Sequence, residues 1–444
     1  MTDGFTGYTG GGVTRAADEE TPQSRRGGSW FDEAAFGLFI HWDHASQQGL
    51  EVSWPMVDGV NNPRWRQVVG VDEYRSSAAT FDPVEWNAPA LARAAREAGM
   101  RYAVLTTRHH SGYSMFHTAG STHSVEHSPY GKDIVREFAD AMRAEGLRVG
   151  FYYSLSDWTH PDYPAMTDDI KPYAVAKLPK PTPEQWERYI TYMRLQLTEL
   201  LTNYGRIDML WFDGHWERDL DDWYPDELKT LIHSLQPDIL VNDRLPGLGD
   251  FETPEQFVPD KPLEARWETC MTMNQNWGYV PDDENYKSVR EILQTLVNVV
   301  SRRGNLLLNV SPTGSGALPA SQQQRLEAFA EWMSVHSESV HGVEPGLEPW
   351  QFGGPSTRRG DRIYLHMLAW PLEHLAVRGL PVRRIEKVTL LSTGEDLPFT
   401  VPFGVAAMKD ADPHGEIRIG TPAAAPDTAV PVIAIDLAPL SAEI

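Results

Sequence analysis

The chain has 444 residues, 41% of them hydrophobic, with 62 acidic against 39 basic side chains and a formal net charge of −23. That length exceeds one ordinary core and suits a large domain with a smaller companion. The acidic balance argues against nucleic acid as a partner, and no apolar run is long enough to cross a bilayer, so no membrane partner is expected.

Residues 1–28 are polar and rich in Gly, Thr, Asp and Arg. They lack the apolar segment of a secretory signal and read as a flexible tail on a cytoplasmic protein, unless a leader was already removed. Ser29 to Asp32 can cap a short helix, and Phe36 to Trp42 reads as a first buried strand. Asp43 to Phe81, with Trp54 and Trp65, reads as loop with short helices. Asn87 to Ala98 has helical spacing, with Pro89 in its first turn and Gly99 as its stop. Tyr102 to Tyr113 reads as a second strand closing on His109 and His110, which in a regular strand point to opposite faces. The helix Lys132 to Glu145 and the strand Arg148 to Ser154 follow, then an irregular insertion from Pro164 to Pro181. Pro183 opens a long helix to about Tyr204. Next comes the run Arg206 to Trp216, apolar until it stops on Asp213 between aromatics and a glycine. Strand residues two apart share a face, so Trp211 is expected to wall that carboxylate. Beyond it the pattern predicts a helix at Pro225–Leu235, strands at Asp238–Arg244 and Ala265–Thr269, a helix at Ser288–Arg303, a strand at Asn305–Val310 and a helix at Ala320–His341.

Strands alternating with helices at this pace imply parallel pairing through right-handed crossovers. Polar residues recur at strand exits, which favours a (β/α)8-type barrel over an open doubly wound sheet that gathers its ligand groups at one switch point. The expected organisation is a barrel domain over residues 29–343. From about Val343 short alternating runs separated by Gly and Pro predict a C-terminal antiparallel β-sandwich over residues 344–444. No glycine fingerprint of the dinucleotide type and no phosphate loop occurs, so no cofactor is expected. Cys270 is the one cysteine, which excludes an internal disulfide and a thiolate cluster, and it reads as a packed thiol.

The rim positions carry Asp213, Asp243, Asp250, Glu252, Glu255 and Glu268, with His41, His109, His110 and Arg244 among them. Fifteen Trp and 16 Tyr supply flat apolar faces on which sugar rings pack. Acids, histidines and tryptophans on a barrel rim fit glycoside hydrolysis, in which two carboxyl groups flank the scissile bond. A metal hydrolase is the competing chemistry. It is disfavoured by the absence of His-x-His on the first strand and of His-Glu-x-x-His anywhere, so no metal is expected.

The motifs FGLFIHW (Phe36 to Trp42), TRHHSGY (Thr107 to Tyr113), VGFYYS (Val149 to Ser154), LWFDG (Leu210 to Gly214), VNDR (Val241 to Arg244), DFETPE (Asp250 to Glu255), WETCMTMNQNWGY (Trp267 to Tyr279) and GNLLLNVSP (Gly304 to Pro312) occur in this order. Together, from about Trp30 to Val343, the chain resembles the α-L-fucosidases of glycoside hydrolase family 29. That resemblance implies an exo-acting, retaining enzyme that releases terminal L-fucose from fucosylated oligosaccharides or glycoconjugates, with Asp213 as nucleophile. It implies Glu255 as first choice for the acid/base and Glu268 as the fallback. His41, His109, His110, Tyr152, Trp211 and Arg244 match positions that bind hydroxyls or wall the pocket, and Trp277 one that packs under the C5 methyl. Many members carry Glu-Trp-Tyr where this chain has Ser53-Trp54-Pro55, so Trp54 is retained and a carboxylate is lost; Glu51 lies near but in a shifted register. Arg108 and Ser111 likewise replace a Lys and an Asp. A related α-L-galactosidase-like enzyme and a catalytically silent sugar-binding protein are the rival functions. Oligomeric state, a homo-oligomer included, has no readable code.

Overall fold

The computed structural model describes residues 29–59, 67–173, 178–245, 247–402, 412–426 and 428–439. The expected tail at 1–28 and Trp65 lie outside them. Seven strands form one parallel sheet: β1 Phe36–Ile40, β2 Tyr102–Arg108, β3 Arg148–Ser154, β4 Met209–Asp213, β5 Leu240–Val241, β6 Trp267–Thr272 and β7 Gly304–Val310, in the spatial order β5-β4-β3-β2-β1-β7-β6. Almost every strand residue is buried. Helices cover the outer face and barrel side chains fill the inner one, which is why these runs are continuously apolar instead of alternating.

The two sheet edges are joined by residues 251–255, which bond to both neighbours. Asp243 N donates to Phe251 O at 3.0 Å, Glu252 N to Arg266 O at 2.8 Å and Cys270 N to Pro254 O at 3.2 Å. This eighth stave closes the curl into a barrel and carries Glu255 on its end. It corrects two expectations. Asp238–Arg244 is not a full strand, because only Leu240–Val241 stays in the ladder before the chain folds back on itself. At Gly249 a Cβ would sit 2.4 Å from the Asp243 Cα, so the reversal tolerates no side chain. The next strand, expected at Ala265–Thr269, runs from Trp267 to Thr272.

The helices begin where their capping residues stand. Thr182 and Gln185 make a capping box on Pro183–Asn203, and Asn87, Asp133 and Ser288 cap Ala88–Glu97, Ile134–Ala144 and Val289–Val300. The last helix stops at His336 rather than His341, giving way to a turn at Ser337–Ser339 whose carbonyl at Ser339 is taken by the Thr357 hydroxyl. From there antiparallel sheets of six and three strands form the C-terminal sandwich. The strand Val432–Leu437 serves two cores through its period of two: Ile433 and Ile435 pack inside the sandwich, whereas Val432 and Ala434 join the barrel core. Trp332 Nε1 donates to Val430 O at 2.9 Å and ties the same seam. Among the described residues no helix is long and apolar enough to cross a membrane.

Candidate active site

A cavity of about 340 Å³ opens at the C-terminal ends of the strands. Asp213, the last residue of β4 and 8% exposed, lies in its wall. Gly214 behind it has φ +74°, and a Cβ there would meet Ser156 Oγ at 2.3 Å, so only glycine lets the chain leave the strand at this point. Arg244 Nη1 donates to Asp213 Oδ1 at 2.8 Å, the Tyr152 hydroxyl donates to Oδ2 at 2.7 Å, and His110 Nε2 stands 3.6 Å from Oδ2. Burial alone would raise this carboxyl. The Arg244 charge, then His110 and the hydrogen bonds from Arg244 and Tyr152, outweigh burial and bring it to about 2.

The other terminal nitrogen of Arg244 donates to Glu255 Oε2 at 2.7 Å, so one guanidinium spans both carboxylates. Its carbon lies 4.5 Å from the Trp211 ring centroid. Trp211 stacks on Tyr152 (5.7 Å, 18°), and Tyr152 on His109 (5.5 Å, 8°), so three barrel positions form one layered wall beside the nucleophile candidate.

The two histidines do not point to opposite faces. β2 ends at Arg108 and the chain turns at once, so strand alternation no longer applies, and the rings lie 4.1 Å apart in the same cavity wall. His110 Nδ1 is 2.6 Å from Ser154 Oγ, and His109 Nδ1 is 2.5 Å from Ser53 Oγ. Ser53 thus supports a pocket histidine. Glu51 is buried away from the cavity and accepts from the Trp277 and Gly278 amides at 2.8 and 2.7 Å. Its carboxylate anchors the Trp277 segment and does not replace the lost acid.

His41 Nδ1 is 2.7 Å from Asn309 Oδ1, which can only accept, so the proton sits on Nδ1 and Nε2 is left as an acceptor. Asn309 Nδ2 in turn donates to Trp277 O at 2.7 Å. Burial lowers His41 to about 3 and His110 to about 4, so both rings are neutral at ordinary pH. Trp54 closes the mouth edge-on to His110 at 5.5 Å.

Of the six rim carboxylates, Asp213 and Glu255 line the cavity. Asp250 accepts from Val241 N at 2.9 Å, Asp243 accepts from the Thr253 hydroxyl at 2.6 Å, and Glu252 lies off the cavity lining. Glu268 is fully buried in the barrel interior, accepting from Trp211 Nε1 at 3.1 Å and from the Tyr102 hydroxyl. His109, His110 and Asp213 offer three donors within 4.8 Å of one another. Both Asp213 oxygens are already held, and the adjacent Arg244 charge opposes a cation, so the set is a poor metal site. Sequence reasoning passed over Phe39, Trp216, Gln256 and Cys270, which line the cavity, and the supports Ser53 and Asn309. Asn309 at the exit of β7 and Cys270 two residues from Glu268 on one strand face were findable by strand spacing. Trp216 stands on a short turn at His215–Glu217, past the end of β4, where strand spacing no longer places a side chain.

Two carboxylates on one arginine, in an aromatic-walled cup at the mouth of a parallel barrel, define a glycoside hydrolase. The family model described as Alpha-L-fucosidase matches residues 14–338, and the chain belongs to that family. It is 28% identical over 404 residues to the tissue alpha-L-fucosidase of Homo sapiens, covering 84% of this chain and 82% of that one. Among solved structures it is similar to alpha-L-fucosidase isoenzyme 1 from Paenibacillus thiaminolyticus, with TM-score 0.81 and 34% identity over 94% of this chain and all of the other. It is also similar, with TM-score 0.77 and 26% identity over 96% of this chain and 99% of the other, to a Bacteroides thetaiotaomicron alpha-L-fucosidase trapped as a covalent intermediate with 2-fluoro-fucosyl fluoride.

Proposed function

We propose that the protein is an exo-acting, retaining α-L-fucosidase that hydrolyses terminal α-L-fucosyl linkages of fucosylated glycans through a glycosyl-enzyme on Asp213. The observation that carries this reading is the Arg244 bridge, which keeps one carboxylate ionised against burial and holds a second close beside it. Retention requires two carboxyl groups roughly 5–5.5 Å apart across the scissile bond, and the shared guanidinium makes these two neighbours. In the first step Asp213 attacks the anomeric carbon while the Glu255 carboxyl gives its proton to the departing glycosidic oxygen. In the second, the Glu255 carboxylate takes a proton from water as that water attacks the same carbon, and Asp213 is released. The Glu255 side chain, 39% exposed, has room to swing from Arg244 toward the glycosidic oxygen.

In this reading the neutral His41 and His109, with His110, offer hydrogen bonds to sugar hydroxyls, and Trp277 and Phe39 supply the apolar surface against which the C5 methyl packs. Residues 29–343 act as the catalytic unit, and the sandwich of 344–444 covers its flank through the shared core. The test is azide rescue on an activated aryl α-L-fucoside. Glu255→Ala regains turnover with azide, which opens the glycosyl-enzyme to give the α-fucosyl azide, whereas Asp213→Ala loses hydrolysis and with azide gives at most the inverted β-fucosyl azide. Undiminished turnover in Asp213→Ala would refute the assignment.

A further inference from the structure

We propose that Glu268 is a positioning residue for the reaction: its carboxyl, lodged in the barrel interior, fixes the Trp211 indole and through it the guanidinium of Arg244 that spans Asp213 and Glu255. The inference rests on the fucosidase reading above and adds to it a residue that does not touch substrate.

Glu268 is a poor occupant of a barrel core unless it does something there. It is 0% exposed, and Arg244 is not among its contacts; its hydrogen bonds come from Trp211 Nε1 on β4 and the Tyr102 hydroxyl on β2. Burying a carboxyl is costly without satisfied partners, and both of its oxygens are used. The arrangement is built from several strands at once. At Gly37 of β1 a Cβ would lie 2.3 Å from the Tyr102 ring, so glycine is what lets that ring lie across β1. Glu268 comes from β6, which makes the three-residue tie a link across the barrel directly under the cavity floor.

From Trp211 the link continues upward. Its ring carries the Arg244 guanidinium at 4.5 Å, stacks on Tyr152 at 5.7 Å and meets Phe39 at 5.1 Å. An indole rotates about two side-chain bonds, and the N–H donated to Glu268 selects one orientation in which its face is presented to Arg244. Arg244 then holds Asp213 and Glu255 in register. The charged or titratable groups around Glu268 are Tyr102, Asp243 and, on the same face of β6, Cys270. Burial, assisted by Asp243 and opposed by the two hydrogen bonds, lifts its carboxyl to about 7. A neutral Glu268 is therefore compatible with the site, and a glutamine can stand in for it.

The test compares Glu268→Gln, Glu268→Leu and Trp211→Phe by kcat, KM and the pH profile of kcat/KM on an aryl α-L-fucoside. Wild-type turnover is the separate control for the fucosidase reading. Glu268→Gln keeps an oxygen for the indole N–H, so kcat/KM stays within about threefold. Glu268→Leu frees the indole, loosens Arg244 from Asp213, lowers kcat about tenfold or more and moves the acidic limb to higher pH. Azide restores nothing. Trp211→Phe, which cuts the same link from the other side, gives the same displaced limb, and the double variant Trp211→Phe/Glu268→Leu is no worse than the poorer single one. A purely structural role would lower stability in Glu268→Leu and leave the limb in place, which would overturn the proposal. Azide rescue of Glu268→Leu would overturn it too, by making Glu268 the acid/base. Should Glu268→Leu not fold, Trp211→Phe with an unmoved acidic limb contradicts the link by itself.

Discussion

Arg244→Met is the most informative single substitution. It deletes the cation that touches both carboxylates but keeps an unbranched apolar stem able to lie on Trp211. Two charge-assisted hydrogen bonds, of 2.8 and 2.7 Å, disappear. Each such bond contributes about 1.5–3 kcal/mol. The Glu255 half drops out, because that side chain has swung off Arg244 when it gives its proton, which leaves the Asp213 bond and about 1.5–3 kcal/mol. Expressed at the transition state, that lowers kcat/KM by roughly 10- to 150-fold. Direction matters more than size. Burial pushes Asp213 up and Arg244 is the first influence that holds it down, so without the arginine its carboxyl protonates at higher pH. The acidic limb of kcat/KM therefore moves toward neutrality, while His110 and Tyr152 keep the shift partial. The assay is initial rates on an aryl α-L-fucoside between about pH 3 and 8, with thermal unfolding followed in parallel to separate damage to the site from damage to the fold. An acidic limb that stays below that range, as in wild type, with kcat/KM within threefold, would refute the reasoning.

Three further outcomes follow from the geometry. Asn309→Ala removes the acceptor that fixes the His41 tautomer and the donor that holds Trp277 O; a loss of about 2 kcal/mol, appearing mainly as a raised KM, is expected, and an unchanged KM contradicts that role. Gly214→Ala places a methyl against Ser156 Oγ at φ +74°, so unfolding temperature and kcat both fall, by more than about 1 kcal/mol in stability, and a variant as stable as wild type counts against the strained exit. Buried His366 is lowered to about 3, below the roughly 6.5 of an unfolded histidine. The unfolded chain therefore binds a proton that the fold refuses, and its stabilising share, full above about pH 6.5, is lost as pH falls toward 3. Relative to His366→Asn, wild type loses up to about 1.4 kcal/mol per pH unit below 6.5 in urea titrations, and a pH-independent difference contradicts it.

The barrel was legible because most of its parts are locally encoded. Pro183, Pro225 and Gly99 punctuate helices at the positions where the chain begins or ends them, and the apolar runs from Phe36, Tyr102, Arg148, Met209 and Asn305 are strands buried on both faces. The eighth stave was not legible. It contains Pro254, which has no N–H to donate, and pairs through isolated bridges, so neither strand composition nor alternation marks it. The neighbouring positions Trp211 and Asp213 could be placed from spacing alone, since strand geometry reaches two residues. The His109 and His110 pair failed for the opposite reason: the strand ends at Arg108, before either histidine, whereas its pattern reads on to Tyr113. What supports the site joins residues distant in sequence, as with Ser53 on His109, Asn309 on His41 and Glu268 on Trp211, and no local pattern carries such pairings.

The central claim is that Asp213 forms the bond to the sugar, and trapping it is the most direct test. Wild-type protein is incubated with 2-fluoro-fucosyl fluoride, whose fluorine slows release of the glycosyl-enzyme, and the intact protein and its peptic peptides are weighed. The account predicts one fluorofucosyl unit per chain, located on the peptide containing Leu210 to Gly214 and absent from Asp213→Asn. A label on any other carboxylate, or steady turnover of fucoside by Asp213→Asn, would contradict it.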